Sequence, residues 1–411
     1  MYKEKKHLVI FVLITTMVLF CGSLSQPTHA ATSSQKLTAM EDGLEFLAQQ
    51  QYPNGSWYSN WGTGLSTGPA VQAFQQAGYN AGDDVIIAGH NYGDVVGRAI
   101  DYLLTTGVLL HISPQMAGDP DTNGDGLGVV FRPSGAMSRD VQGTGTILPA
   151  IVGTETPNAI VTTGPLAGRT YSDIVQNTVD YFAYGQTDPN FGPYRGGWRY
   201  YANYPAADQS CTPWAVMGLL AAEDWGTVEP AFVKSELEIF LGNIQNPSDG
   251  GVRYMPTFGG SNMYRTGAFL SEEFYVGHDD TDPSVQAALT YLNTYWQTTS
   301  TNGNYDNPGA LWATSKGLEQ IIGLDDTTTI TNFKYSGPLD PGETWNWLED
   351  YCQYLVGQQS ANGSWAGRVY YDNIITTAWY VDVLAVATAP EPATLALLLI
   401  GGLALLRRRR A

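Results

Sequence analysis

The chain of 411 residues carries a formal net charge of −19, with only 14% charged side chains but 43% hydrophobic and 12% aromatic ones. So acidic a surface is a poor partner for nucleic acid and anionic polymers, and it favours solubility and attraction of cations. The length suits one large domain or two.

The first 30 residues read as a secretory leader. Lys3, Lys5, Lys6 and His7 precede an apolar run from Leu8 to Phe20, and Thr28-His29-Ala30 offers a small-residue cleavage site, so cleavage is expected after Ala30. The run is shorter than the roughly 20 residues of a spanning helix. Phe20 is bulky where lipoprotein processing at Cys21 needs a small residue.

Beyond the leader, one short pattern recurs. Phe46-x-x-x-Gln50 is followed by Gly55-Ser56-Trp57, and Tyr354-x-x-x-Gln358 by Gly363-Ser364-Trp365. Phe182-x-x-x-Gln186 leads to Gly196-Gly197-Trp198 after an insertion, and Leu241-x-x-x-Gln245 to Gly250-Gly251-Val252. The apolar residue and the glutamine, at i and i+4, share one helix face, so the glutamine can reach backbone beyond the helix end. Glycine permits the turn, and the tryptophan wedges under the next element. A second helix rich in small residues follows each turn, at Thr67-Gly68-Pro69-Ala70, Thr212-Pro213-Trp214-Ala215, Thr266-Gly267-Ala268 and Thr376-Thr377-Ala378-Trp379. The threonines read as N-caps, and Pro213 suits a first helical turn.

This pattern resembles the tryptophan-containing repeat of the prenyltransferase and squalene cyclase superfamily. Two weaker helix pairs, Val95 to Leu104 with Gly145 to Ile151 and Val285 to Trp296 with Leu311 to Ile322, complete a set of six. The resemblance implies an all-α fold over residues 38–388, an α/α toroid of about six hairpins with inner and outer helices around a central cavity. Repeats of this kind bury their faces only against neighbours.

Family chemistry does not carry over as readily. The string His278-Asp279-Asp280-Thr281-Asp282-Pro283 departs from the Asp-x-Asp-Asp acid of the cyclases, and Asp282 before Pro283 reads as an N-cap. Asp208 and Cys211 stand one residue further apart than the aspartate–cysteine pair that holds zinc in protein prenyltransferases. No histidine follows His278, so zinc is not expected. The Cys-Gly-Glu-Gln of complement-like thioester domains is absent.

Three sets of residues remain as site candidates. Asp119-Pro120-Asp121-Thr122-Asn123-Gly124-Asp125-Gly126 has the alternating oxygen pattern of a calcium loop, with Asp119, Asp121, Asn123 and Asp125 as ligands for Ca²⁺; Val130 stands at the twelfth position, and the string reads equally as an Asx-rich turn. Gly196-Gly197-Trp198-Arg199-Tyr200 and Gly250-Gly251-Val252-Arg253-Tyr254 place an arginine thirteen residues before Thr212 and Thr266, with looser echoes at Arg368 and Arg132. In toroids of this superfamily the inner helices begin at the cavity mouth. The expectation is that Trp198, Arg199, Tyr200, Asp208, Arg253 and Tyr254 face one cavity fit for an extended sugar or amphipathic ligand. The alternative is that each arginine caps carbonyls of its own hairpin. Asp208, beside Tyr200 or Tyr201, is the candidate catalytic base, with a plain helix cap as its alternative.

At the C-terminus Pro390-Glu391-Pro392, an apolar stretch from Ala393 to Leu406 and Arg407 to Arg410 stand in order. This resembles the PEP-CTERM sorting signal of Gram-negative bacteria and implies an exosortase-type processing enzyme as partner, with the hydrophobic helix a transient anchor and the basic cluster on the cytoplasmic side; a permanent anchor is the alternative. Without Lys3, Lys5, Lys6, Arg407 to Arg410, Glu4 and Glu391, 13 basic and 37 acidic side chains remain, a net charge of −24. Cys211 and Cys352 fall on different hairpins and are expected to be buried thiols. The reading as a whole is an exported cell-envelope toroid that binds an extended ligand. Its rivals are a divergent terpenoid-cyclase-like or carbohydrate-active enzyme and a structural surface module.

Overall fold

The computed structural model describes residues 30–60, 62–134, 139–339, 344–368 and 370–389; the leader and the sorting segment lie outside them. The elements run α1 (Ser33–Gln50), α2 (Thr63–Gln76), β1 (Ile86–Ile87), β2 (His90–Asn91), α3 (Tyr92–Thr105), β3 (Gly107–His111), β4 (Leu127–Phe131), α4 (Asp140–Val152), α5 (Tyr171–Gly185), α6 (Thr212–Glu223), α7 (Phe232–Ile244), α8 (Met263–Val276), α9 (Pro283–Tyr295), α10 (Pro308–Ile321), α11 (Trp347–Gln358) and α12 (Asn373–Thr388). Even-numbered helices pack side by side as an inner ring, in which α12 touches both α10 and α2. Odd-numbered helices form the outer ring, and α1 meets α11. The chain is thus an all-α toroid of six hairpins, with two small antiparallel strand pairs inserted before and after α3. No disulfide joins the buried Cys211 and Cys352.

The recurring pattern proves to be a set of three hydrogen-bonded locks. First, the indole N–H of Trp57, Trp198 and Trp365 donates to the carbonyl of Leu47, Phe182 and Leu355 at 2.7, 2.8 and 2.7 Å. Second, a glutamine at the helix C-cap, with extended backbone, donates to its own turn and to the next outer helix. Gln186 reaches the carbonyls of Gly196 (2.8 Å) and Val233 (2.9 Å), and Gln245 those of Gly250 (3.0 Å) and Ser284 (2.8 Å). In the first and last hairpins this glutamine is Gln51 and Gln359, not the expected Gln50 and Gln358. Gln51 bonds Gly55 O and Val95 O, Gln359 bonds Gly363 O and Ala39 O, and both neighbours in sequence are exposed.

Third, the threonines are pins rather than N-caps. The hydroxyls of Thr67, Thr212, Thr266 and Thr377 accept the backbone N–H of Trp57, Trp198, Val252 and Trp365 at 3.0 to 3.1 Å, fixing each turn to its inner helix. Thr144 does the same for Phe131 at the end of β4. The N-cap positions fall elsewhere, on Gly62, Cys211, Asn262 and Asp372. Glycine is obligatory at the turns because a neighbouring outer helix crosses there. At Gly196 and Gly363 φ is +85° and +83°, and a Cβ would stand 1.8 Å from Glu236 O and 2.1 Å from Asp42 O.

The fifth hairpin uses a different knot. Asp350 of α11 accepts the Trp296 indole N–H at 2.7 Å, the Tyr305 hydroxyl and the backbone amides of Lys334 and Tyr335 at 2.9 and 2.7 Å. All three side chains are buried, and desolvation still pushes the Asp350 carboxyl above its ordinary range.

Candidate functional site

Because each outer helix runs into its turn and each inner helix starts from one, the N-termini of all six inner helices gather at one end of the toroid. A pocket of about 240 Å³ opens there, lined by residues at the starts of the inner helices, including Leu65, Gln142, Trp214, Tyr264, Asn307 and Ile375. Each of these helix N-termini contributes a partial positive charge at this end.

The pocket has a closed floor. Trp214, Trp312 and Trp379, from α6, α10 and α12, lie nearly parallel at 15° to 22°, with ring centres 5.0 to 6.3 Å apart. Trp214 and Trp379 face the pocket, while Trp214 and Trp312 face a void of only about 10 Å³ beyond, next to Lys316. Under the stack, Asp382 accepts the Trp312 indole N–H at 2.7 Å and pairs with the Lys316 ammonium at 3.2 Å, so the platform rests on a partly buried ion pair. The indoles stopper the ring, and the mouth is a blind cup.

One wall is held by Asp208. Its carboxylate is wholly buried and accepts from Ser210 N (2.8 Å), Ser210 Oγ (2.6 Å) and the Tyr254 hydroxyl (3.0 Å), with Arg199 Nε also at 3.0 Å. The adjoining residue Gln209 donates its backbone N–H to Tyr254 O at 3.0 Å, and its side-chain amide donates to the buried Glu272 at 2.8 Å. Burial keeps the Glu272 carboxyl well above its ordinary range, and burial together with the Asp208 carboxylate raises the Tyr254 hydroxyl. Gln209, Ser210 and Tyr254 all line the pocket.

The residues expected to share a cavity therefore separate. Tyr254 lines it, and Asp208 stands behind Tyr254 with its acceptor sites taken, so it positions the wall and offers no free carboxylate for acid–base work. Trp198 is fully buried in its own hairpin, where it forms the first lock. Arg253 turns back to the side-chain oxygen Asn246 Oδ1 of its own turn at 2.9 Å. Arg199 and Arg139 enclose Tyr200 at 5.0 and 4.6 Å from its ring centre, and Arg139 also donates to the Tyr201 hydroxyl, so this trio forms a cationic–aromatic rim beside the cup.

In the acidic loop the four candidate Ca²⁺ ligands accept backbone amides. Asp119 accepts from Asp121 N, Asp121 from Gly124 N and Gly126 N, Asn123 from Asp125 N, and Asp125 from Leu127 N, a ladder of Asx turns at 2.8 to 3.2 Å. Thr122 and Asn123 dock the loop on Asp180 and Asn177 of α5. Among the described residues no three His, Cys, Asp or Glu side chains gather to hold a metal ion.

With the geometry in place, the chain can be set beside known proteins. Residues 388–410 match the PEP-CTERM protein-sorting motif. That motif marks the chain for export. In fold, the chain is similar to the type II terpene cyclase MstE from Scytonema (TM-score 0.52, 14% identity, 87% of this chain and 99% of that one). It is also similar to a family 76 glycoside hydrolase, a mannosidase, from Bacteroides thetaiotaomicron (TM-score 0.54, 10% identity, 87% and 97%). At such identities the likeness is one of fold alone.

Sequence reasoning missed most of the lining, notably Arg265, Asn302 and Trp379. A signal existed. Trp214 and Trp379 each stand two residues after a pin threonine, Thr212 and Thr377, and Thr146 stands two after Thr144; all three line the pocket. Aligning the inner helices on the pins yields the ring-facing position.

Proposed function

We propose that the cup binds the terminal portion of a polyhydroxylated ligand, a glycan end, and that the exported protein does so at the cell envelope after exosortase-type processing of its sorting segment. The observation that carries this reading is an indole platform walled by amides and hydroxyls. Trp214 and Trp379 offer ring faces, Tyr371 meets Trp379 edge-on at 4.7 Å, and Gln142, Gln209, Asn302 and Asn307 supply neutral donors and acceptors. Sugar rings combine an apolar C–H face with a hydroxyl edge, which is what such a lining complements. No Asp or Glu stands among the pocket's described lining residues, so binding is favoured over acid-catalysed cyclisation or glycoside hydrolysis, both of which require a carboxyl at the reacting centre. The shared fold with a terpene cyclase and a mannosidase is compatible with ligands of either kind, and the hydrogen-bonding wall selects the sugar.

The test is a glycan array probed with the purified protein, followed by calorimetry on the hits. Tyr254→Ala, which removes a wall, should lower affinity about tenfold or more while the fold persists. A protein that ignores every glycan but binds isoprenoid or phospholipid overlays would replace this reading with an amphipathic ligand.

A further inference from the structure

The cup has a charge preference that neither its shape nor the acidic body predicts. Arg265, at the start of α8, is the one charged side chain among the described lining residues. Asp208 is engaged by Arg199, Ser210 and Tyr254, Asp306 by Arg368 at 3.1 Å, and Asp140 by Arg132 at 2.7 Å. Arg265 itself has no carboxylate within ion-pair distance among the described residues. It donates one N–H to Gly260 O and lies 5.5 Å from the Tyr254 ring centre. A guanidinium has five N–H donors in a fixed fork, and most of this one's capacity is uncommitted. Burial lowers the Arg265 pKa from its ordinary value, outweighing the opposing pull of nearby tyrosines and of the Asp208 carboxylate.

We propose that the group bound in the cup is anionic, the carboxylate of a uronic acid or similarly acidic sugar at a glycan end, gripped by the Arg265 fork while its ring rests against Trp379. This rests on the glycan reading above and names its chemical class. Three observations converge on it: a partly buried guanidinium without a counter-ion, a lining without carboxylates, and six inner-helix N-termini directed at the same space. The closed indole floor limits entry to a chain end, so the acidic body meets one charged sugar and not a long anionic polymer threading through the ring.

The experiment compares trisaccharides ending in glucuronate, galacturonate or mannuronate with their carboxyl-reduced neutral counterparts, by calorimetry at 50 and 500 mM NaCl. At least one acidic probe is expected to bind about 10- to 100-fold more tightly than its neutral partner, as a charge-assisted fork allows, and to lose more of its affinity at high salt. Arg265→Gln should abolish that difference between acidic and neutral probes, and Arg265→Lys should restore part of it; unchanged melting temperatures show that the fold survives. Equal affinity for acidic and neutral probes, or an acidic preference that survives Arg265→Gln, overturns the inference and leaves the glycan reading standing. If no probe of either kind binds, both fall.

Discussion

The side-chain amide of Gln359 donates to the carbonyl of Ala39 at 2.7 Å across 320 residues of sequence, joining the last outer helix to the first. The same amide holds Gly363 O at 2.9 Å. One residue therefore closes both its own turn and the ring.

Replacing Gln359 should expose how far closure depends on it. Gln359→Ala leaves two carbonyls without their donor and is expected to cost about 1–3 kcal/mol in urea denaturation, whereas Gln358→Ala, at an exposed neighbour, should stay within about 0.5 kcal/mol. A larger loss at 358 than at 359 would return the motif glutamine to its sequence-based position.

The threonine pair in α12 gives a sharper contrast. Thr377 Oγ1 accepts the Trp365 N–H at 3.1 Å, while the buried Thr376 Oγ1 has no hydrogen-bond partner among the described residues. Thr377→Val should destabilise by about 1–3 kcal/mol because a buried N–H is left unpaired, and Thr376→Val should be neutral or stabilising. Thermal melts of the two variants side by side would decide, and matching losses would dissolve the pin.

Stability should also respond to pH through Glu229. Its carboxyl, which accepts the Tyr275 hydroxyl, is pushed by burial from 4.5 up to about 7. The folded state then holds a proton that the unfolded chain releases between pH 4.5 and 7, so this group favours folding below that window and loses the contribution as pH rises through 7. Glu229→Gln, a mimic of the protonated acid, should match the parent near pH 4.5 and gain on it steadily toward pH 8. Chemical denaturation across that range checks the trend, and a variant that loses ground with rising pH would contradict it.

The hairpins were legible in sequence because their signals are local: an i, i+4 face, a glycine, a tryptophan and a run of small residues. The glutamine register was not, in two cases, because Phe46-Leu47 with Gln50-Gln51 and Tyr354-Leu355 with Gln358-Gln359 are doublets that satisfy the spacing twice. What separates them is where the helix stops, and α1 and α11 end at Gln50 and Gln358, leaving Gln51 and Gln359 as extended C-caps free to swing toward the neighbour. The site was less legible still. Arg199 and Arg253 occupy equivalent places in matching strings, yet one pairs with Asp208 and the other with Asn246, each within its own turn. Arg265 sits in no repeated string; only assembly of the ring brings it to the pocket.

The direction of α12 has a consequence for how the molecule stands in the envelope. This inner helix starts at Asn373 beside the cup and ends at Thr388, so its 16 residues carry the chain about 24 Å to the far face. The first outer helix begins on that same face, where Ala30 N bonds Pro338 O. Leader and sorting segment are thus joined to one pole of the body and the cup occupies the other. On the reading proposed above, a chain still held by its sorting segment would turn its opening away from the bilayer.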